Sequence, residues 1–188
     1  MNNIIANFDE IIHLAQSYGL PLEKKRAILR EYLQTKILSL IYQEKISNHL
    51  FFVGGTALRI LRGLDRFSED LDFDSVGVTP DQIQKLINII IHRLQQENIT
   101  IELYQNTTMK KSYYELRFPN ILTQLRLSSN IEEKLMVKLD IESFWLGQKR
   151  ETIFVSRYGF LATIVTKSLE QMAVEKLAAY LGREETQP

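Results

Sequence analysis

The sequence predicts a mixed α/β (α+β) sandwich, a sheet flanked by helices with a long helix leading into it. Three observations predict it. The apolar run Leu50-Phe51-Phe52-Val53 stops at Gly54-Gly55 and gives way to helical spacing. Two later stretches, around Asp70–Asp74 and Leu135–Glu142, alternate apolar with charged residues at the period of a strand. Between them, apolar residues recur every three to four positions over spans long enough for helices.

From Leu22 to Ile46, Ile28, Leu29, Leu33, Ile37, Leu40 and Ile41 fall on one helical stripe, with Pro21 where a first turn tolerates it. This is a long amphipathic helix. Leu50 to Val53 is a short strand, the two glycines a turn, and Ala57, Leu58, Leu61 and Leu64 mark a helix behind the turn. In Asp70-Leu71-Asp72-Phe73-Asp74 the carboxylates share one strand face and the apolar residues the other. A helix from about Pro80 to Gln96 carries Ile83, Leu86, Ile87, Ile90 and Leu94, and alternating segments follow around 99–104 and 113–118. Leu135, Val137, Leu139 and Ile141 alternate with Met136, Lys138, Asp140 and Glu142, a second strand with a charged face. Ser168 suits the cap of a last helix bearing Leu169, Met172, Ala173, Lys176, Leu177 and Tyr180 on one stripe. Strand order does not follow from these patterns. With no linker, repeat or low-complexity stretch, residues 1–48 read as a helical segment packing on a core of residues 49–188.

Composition narrows the function classes. The 188 residues carry 23 basic and 23 acidic side chains, so no long-range field draws in a polyanion, and a general nucleic-acid coat protein is disfavoured. The absence of cysteine excludes disulfides, a thiolate nucleophile and Cys-ligated metal sites. His13, His49 and His92 make no metal spacing. Apolar stretches such as Ile89–Ile91 fall far short of a bilayer span, and no basic-then-apolar leader opens the chain, so the expected location is the cytoplasm.

The chemistry concentrates in two motifs. Glycines between a strand and a helix let the backbone approach a ligand closely, and the helix start behind them offers free N–H groups to phosphate oxygens. Taken alone, Gly54-Gly55 is more simply a tight turn. Asp70 and Asp72, two apart in a strand, project from one face about 7 Å apart. Two hard carboxylates with open positions suit magnesium, which completes its shell with water and substrate phosphates. A bare Asp-x-Asp also decorates many solvated sheet faces. The order of glycine turn, helix and paired acids is far more specific than either part.

With those residues in view, the stretch from Phe52 to Phe73 resembles the first motif of the DNA polymerase β nucleotidyltransferase superfamily. Its Gly-Gly-Thr-Ala-Leu and Ser-Glu-Asp-Leu-Asp-Phe wording is similar to the AbiEii/AbiGii toxin family, and the resemblance continues in patches from about Lys24 to Arg183. It implies a nucleotidyltransferase-like fold, two magnesium ions, an NTP substrate and transfer of a nucleoside monophosphate to an acceptor hydroxyl with loss of pyrophosphate. It implies the toxin of a toxin–antitoxin or abortive-infection system, with RNA such as tRNA as acceptor, an antitoxin as partner and no membrane. Asp140 matches the third acidic residue and Lys176 the nucleotide-facing lysine. Gly54, Gly55, Thr56 and Ser68 would cradle the triphosphate, with Arg66 and Lys138 beside it. The family continues into helices with an Arg-Asp and a later Asp motif, whereas this sequence stops at Gly182-Arg183-Glu184-Glu185-Thr186-Gln187-Pro188. The expectation is a core lacking that C-terminal helical region.

The residues themselves leave several readings open. Asp140 shares its face with Lys138 and Glu142, so it is also one member of a solvated stripe, with Glu142 as reserve ligand. Lys176, within an apolar stripe, either snorkels outward or meets an anion. Arg59, Arg62 and Arg66 follow i, i+3, i+7 spacing and can steer phosphates, although a solvated helix face accounts for them more simply. Lys110-Lys111 with Tyr113-Tyr114 is the most suggestive RNA patch, and a solvated hairpin end explains it equally well. Two rival functions stay in view: a nucleotide-binding or antitoxin-interacting module without turnover, and a small-molecule nucleotidyltransferase acting on an antibiotic.

Overall fold

The structure, a computed structural model, describes residues 3–144 and 149–184. Its elements are α1 (Asn3–Ala6), α2 (Phe8–Ser17), α3 (Lys25–Ile41), a 3-10 turn (Lys45–His49), β1 (Leu50–Val53), α4 (Gly54–Arg62), β2 (Asp70–Ser75), α5 (Pro80–Gln96), β3 (Glu102–Thr107), β4 (Lys111–Phe118), α6 (Ile121–Gln124), β5 (Leu135–Ser143), β6 (Arg150–Arg157), β7 (Phe160–Lys167) and α7 (Leu169–Glu184). The expected mixed α/β sandwich is present. Residues 185–188, with which the sequence closes, lie outside the described residues, as does the Tyr180 side chain.

Seven strands form one mixed sheet in the order β3-β4-β5-β2-β1-β7-β6. The two carboxylate strands, β2 and β5, lie side by side in parallel, with Asp72 opposite Asp140 and Leu71 opposite Leu139. β1 runs antiparallel to β2 and parallel to β7, so the strand that feeds the glycine turn is an interior strand. Because paired residues share a face, Phe52, Phe73 and Ile141 line one side, and the acids of β2 and β5 line the other. The apolar side enters a single core with α3, α5 and the N-terminal helix α2. α5 starts from a complete capping box in which Thr79 and Gln82 exchange hydrogen bonds. Thr79→Ala is expected to cost about 1 kcal/mol, read as a lower urea midpoint at unchanged slope; an unchanged midpoint would show that the box carries no stability.

Two expectations need correction. The long helix runs from Lys25 to Ile41, not to Ile46, because the chain tightens into the 3-10 turn before β1. It is also not amphipathic in the sense of one wet face: Glu31, Gln34, Thr35, Lys36 and Ser39 are buried together with its apolar stripe. Each has a partner. Glu31 accepts from Arg59 and Arg157 and from the Tyr158 hydroxyl, while Lys36 pairs with Glu97 at 2.6 Å. The Thr35 and Ser39 hydroxyls donate to the helix's own carbonyls of Glu31 and Lys36. Gln34 Nε2 donates to the carbonyls of Ser68 and Glu69 at 3.1 and 2.9 Å, which anchors the loop entering β2. A buried charge is tolerated only when paired in this way.

Candidate active site

The site begins with β1. Its extended backbone ends at Val53, and Gly54 turns the chain with φ +77°, a left-handed conformation that β-carbon-bearing residues rarely adopt. The same position is crowded. A Cβ on Gly54 would stand 2.0 Å from Oδ2 of Asp72, and one on Gly55 would stand 2.9 Å from Oγ of Ser68. The absence of side chains is what lets the turn rest on the carboxylate strand. Thr56, fully buried, secures the join by donating its hydroxyl to the Asp70 carbonyl at 2.5 Å. Gly54, Gly55, Thr56, Ser68, Asp70 and Asp72 are therefore brought together, with the first-turn N–H groups of α4 beside the acids. Thr56 contributes its main chain to any phosphate cradle, since its hydroxyl proton is already committed.

Asp140 stands next to Asp72 in register, and Tyr113 stands next to Asp140 from β4. Burial, together with the charges of Asp70 and Asp140, pushes the Asp72 carboxyl up to about 6. Oδ1 of Asp70 and Oδ1 of Asp140 are buried and accept no hydrogen bond. The other Asp140 oxygen is held by Lys111 at 2.6 Å, and Lys111 also reaches Glu142 at 3.0 Å. These two acids raise the proton affinity of the Lys111 amine. Lys138 lies 3.9 Å from Asp70 Oδ1. Among the described residues no three His, Cys, Asp or Glu side chains are gathered as a ready metal cage. The donor set nonetheless fits a hard cation: oxygen only, with two orphaned buried oxygens and mutual repulsion that a divalent ion relieves. Such an ion would take one or two carboxylates here and draw the rest of its shell from water and phosphate.

A cavity of about 620 Å³ opens beside the turn, lined by Gly54, Gly55, Phe144, Met172, Glu175 and Lys176 among others. Its volume is in the range of small-ligand sites. The exposed Lys176 lies on its wall together with the acids Asp74, Glu142 and Glu175, so both readings of this lysine stay open. α7 itself starts as expected, Ser168 Oγ accepting from the Gln171 N–H at 3.3 Å.

Other predicted residues fall elsewhere. Arg66 is exposed and lines a separate groove with Lys24 and Phe67, away from the glycine turn. Arg62 pairs with Glu151, and Arg59 is buried against Glu31 with its guanidinium stacked on Phe67. The solvated-face reading therefore fails for Arg59: its helix presses that side against α3. The suggested RNA patch is also dispersed, since Tyr114 is fully buried in the core, Lys111 is spent on Asp140 and Glu142, and Tyr113 donates to Glu115 at 2.6 Å.

Sequence reasoning missed Lys167, Asp74 and Glu175. Lys167 is fully buried, with its ammonium on Asp74, on both Glu175 oxygens at 2.8 Å and over the Phe144 ring at 4.2 Å. A usable signal was present in part: Asp74 is the third acid of the alternating strand, and a lysine ending an apolar run invites the search for an acid.

Comparison with known proteins bears on the family and the fold. The family model for the nucleotidyl transferase AbiEii toxin, type IV TA system, matches residues 36–188. Among solved structures, the chain is similar to the nucleotidyltransferase toxin MenT4 of Mycobacterium tuberculosis H37Rv, with TM-score 0.58, 22% identity, and coverage of 90% of this chain and 58% of that one. It is also similar to a Helicobacter pylori protein assigned as a nucleotidyltransferase, with TM-score 0.52, 21% identity, and coverage of 80% and 57%. These likenesses establish the fold, and the chain spans under three-fifths of the length of either relative. No curated protein sequence matches it significantly. The family match covers most of the chain and includes the glycine turn, both carboxylate strands and the lysine helix: the chain belongs to the AbiEii nucleotidyl transferase toxin family.

Proposed function

We propose that this protein is a metal-dependent nucleotidyltransferase that moves a nucleoside monophosphate from an NTP to an acceptor hydroxyl on RNA, with tRNA as the favoured class. It would act as the toxin of a toxin–antitoxin pair, with a cognate antitoxin as partner and the cytoplasm, where its acceptor resides, as its place. The observation that carries the reading is the glycine turn pressed onto Asp72. It puts the first-turn N–H groups of α4 beside paired carboxylates, and phosphate transfer needs both donors and a cation there. Residues 49–188 would carry the catalytic core and residues 1–48 brace it. Among the described residues no helix is long and apolar enough to cross a membrane.

In this reading Asp70 and Asp72 hold magnesium, with Asp140 completing the set once Lys111 releases it. The ion, when bound, supplies Lewis-acid stabilisation of the phosphate charge. The chain's own groups do the rest. The N–H groups of the Gly54-Gly55-Thr56 turn and the Ser68 hydroxyl bind phosphate oxygens and set the triphosphate in line. Asp140 orients the acceptor hydroxyl and takes its proton as the hydroxyl oxygen bonds to the α-phosphorus and the bond to pyrophosphate breaks. Lys176 neutralises the charge gathering on the leaving pyrophosphate, and Lys138 limits the repulsion between Asp70 and the incoming phosphates.

The test is calorimetric titration of each of the four NTPs with magnesium, followed by transfer from the labelled nucleotide to total RNA. Magnesium-dependent binding of at least one NTP and label in RNA are expected. Binding with label passing only to a small molecule would favour an antibiotic-type acceptor, and binding without turnover would favour the non-catalytic module. A folded protein that binds no NTP would overturn the reading.

A further inference from the structure

Lys167 is a fully buried cation that the chemistry outlined above does not use. It ends β7, the strand parallel to β1, and Thr166 beside it donates to the Phe52 carbonyl at 2.6 Å. Its ammonium lies between two acids from different parts of the fold: Asp74, two residues past Asp72 on β2, and Glu175 on α7. The charges do not cancel, since one cation serves two carboxylates. A fully buried ammonium persists only if acids hold it, and removing the lysine leaves two facing acids with nothing between them. Glu175 is also supported within its helix by Gln171 Nε2 at 3.2 Å.

Position on the helix gives the arrangement its purpose. Lys176 follows Glu175, and one residue turns the helix by about 100°. Both side chains reach the cavity shared with Gly54 and Gly55, so pinning Glu175 on Lys167 fixes the rotation of the helix that sets Lys176 on the cavity wall. Among the described side chains of α7, Met172 is the buried apolar anchor, while Leu169, Val174 and Leu177 are exposed.

We propose that Lys167 is a positioning residue: through Asp74 and Glu175 it tethers α7 to the carboxylate strand and fixes Lys176 over the glycine turn. The proposal rests on the nucleotidyltransferase reading for what Lys176 contacts, and on the ion-pair geometry alone for the tether.

Two measurements on the full chain test it. Amide exchange should quicken about tenfold or more along α7 in Lys167→Met, with the β2 and β5 amides unchanged. Glu175→Gln keeps the Lys167–Asp74 pair and should loosen the same helix, so the test survives if Lys167→Met does not fold. In nucleotide titrations, Lys176→Met should weaken magnesium–NTP binding about tenfold or more in the wild-type background. In the Glu175→Gln or Lys167→Met background it should add less than about twofold, the signature of residues acting through one another. A residue that merely stabilises the fold would give additive losses. Unchanged α7 exchange, or additive losses, would overturn the tether. If α7 loosens as expected while the wild type binds no NTP, the tether stands and the nucleotide reading fails instead.

Discussion

Asp72→Asn is expected to remove nucleotide transfer, by about 10³-fold or more on the scale of a lost charge-stabilising contact, while making the metal-free protein more stable. Both effects have one origin. The carboxylate is held against the glycine turn, half-buried beside Asp70 and Asp140, and its affinity for protons is raised to about 6. A negative charge kept there without a cation costs folding energy. The folded chain binds the Asp72 proton more tightly than the unfolded chain, whose carboxyl titrates near 3.8. The penalty is therefore full at pH 7, and it shrinks as the pH falls through 6 toward 4. The neutral amide removes it, a gain of about 1–3 kcal/mol at pH 7.5 that fades on acidification. Paired urea melts of wild type and variant in chelator, at pH 7.5 and pH 4.5, read the difference. Magnesium with a bound NTP should stabilise the wild type and leave the variant unmoved. A variant that still transfers nucleotide, or that is less stable at pH 7.5, would show that Asp72 is ordinary surface charge.

Gly54→Ala is expected to be nearly as severe for binding. The alanine would have to hold a left-handed backbone, which costs about 1–2 kcal/mol, and its Cβ would overlap Asp72 Oδ2, 2.0 Å away. Either the carboxylate leaves its place or the start of α4 lifts off β2. Each outcome separates the two halves of the proposed phosphate site, and affinity for magnesium–NTP should fall about 100-fold. Gly63→Ala is the control. Gly63 has nearly the same φ, +72°, at the end of α4, and a Cβ there would meet nothing within 4 Å. It should lose a similar backbone increment in stability and keep its affinity. Equal affinity losses at both glycines would point to general loosening of α4, not to contact with Asp72.

Much of this site was legible because its motifs are local. A change of period at Gly54-Gly55 marks where a strand yields to a helix, and strict alternation in Asp70–Asp74 and Leu135–Glu142 assigns each side chain to a face without knowledge of the partner strand. The pairing of Asp72 with Asp140 was not legible from alternation, since it depends on β2 and β5 being neighbours in register. The β6–β7 hairpin escaped for another reason. Ile153-Phe154-Val155 and Phe160-Leu161-Ala162 place apolar residues on both faces, and Phe154 and Leu161 are exposed, so no period stands out. α2 could have been found, as Phe8, Ile11 and Ala15 follow helical spacing and are its buried residues. The polar residues of α3 resisted prediction because their partners Arg59, Arg157 and Glu97 come from distant segments. A sequence read along one stripe makes such residues solvent-facing by default.

The strand order also sets when the site can exist. β1 leads into the glycine turn and lies inside the sheet, beside its middle strand β2, yet its other neighbour is β7, joined to it where Thr166 meets Phe52, 114 residues later. The Tyr42 hydroxyl closes the same seam by bonding the carbonyls of Leu50 and Val165 at 3.0 and 2.9 Å. Contacts of such long sequence separation form late, because the loop they close must first be ordered. On a translating ribosome, the glycine turn and paired acids emerge first and wait with β1 open on one side until the last strand is made. Biosynthesis itself thus imposes a delay between making the motif and completing the sheet that supports it.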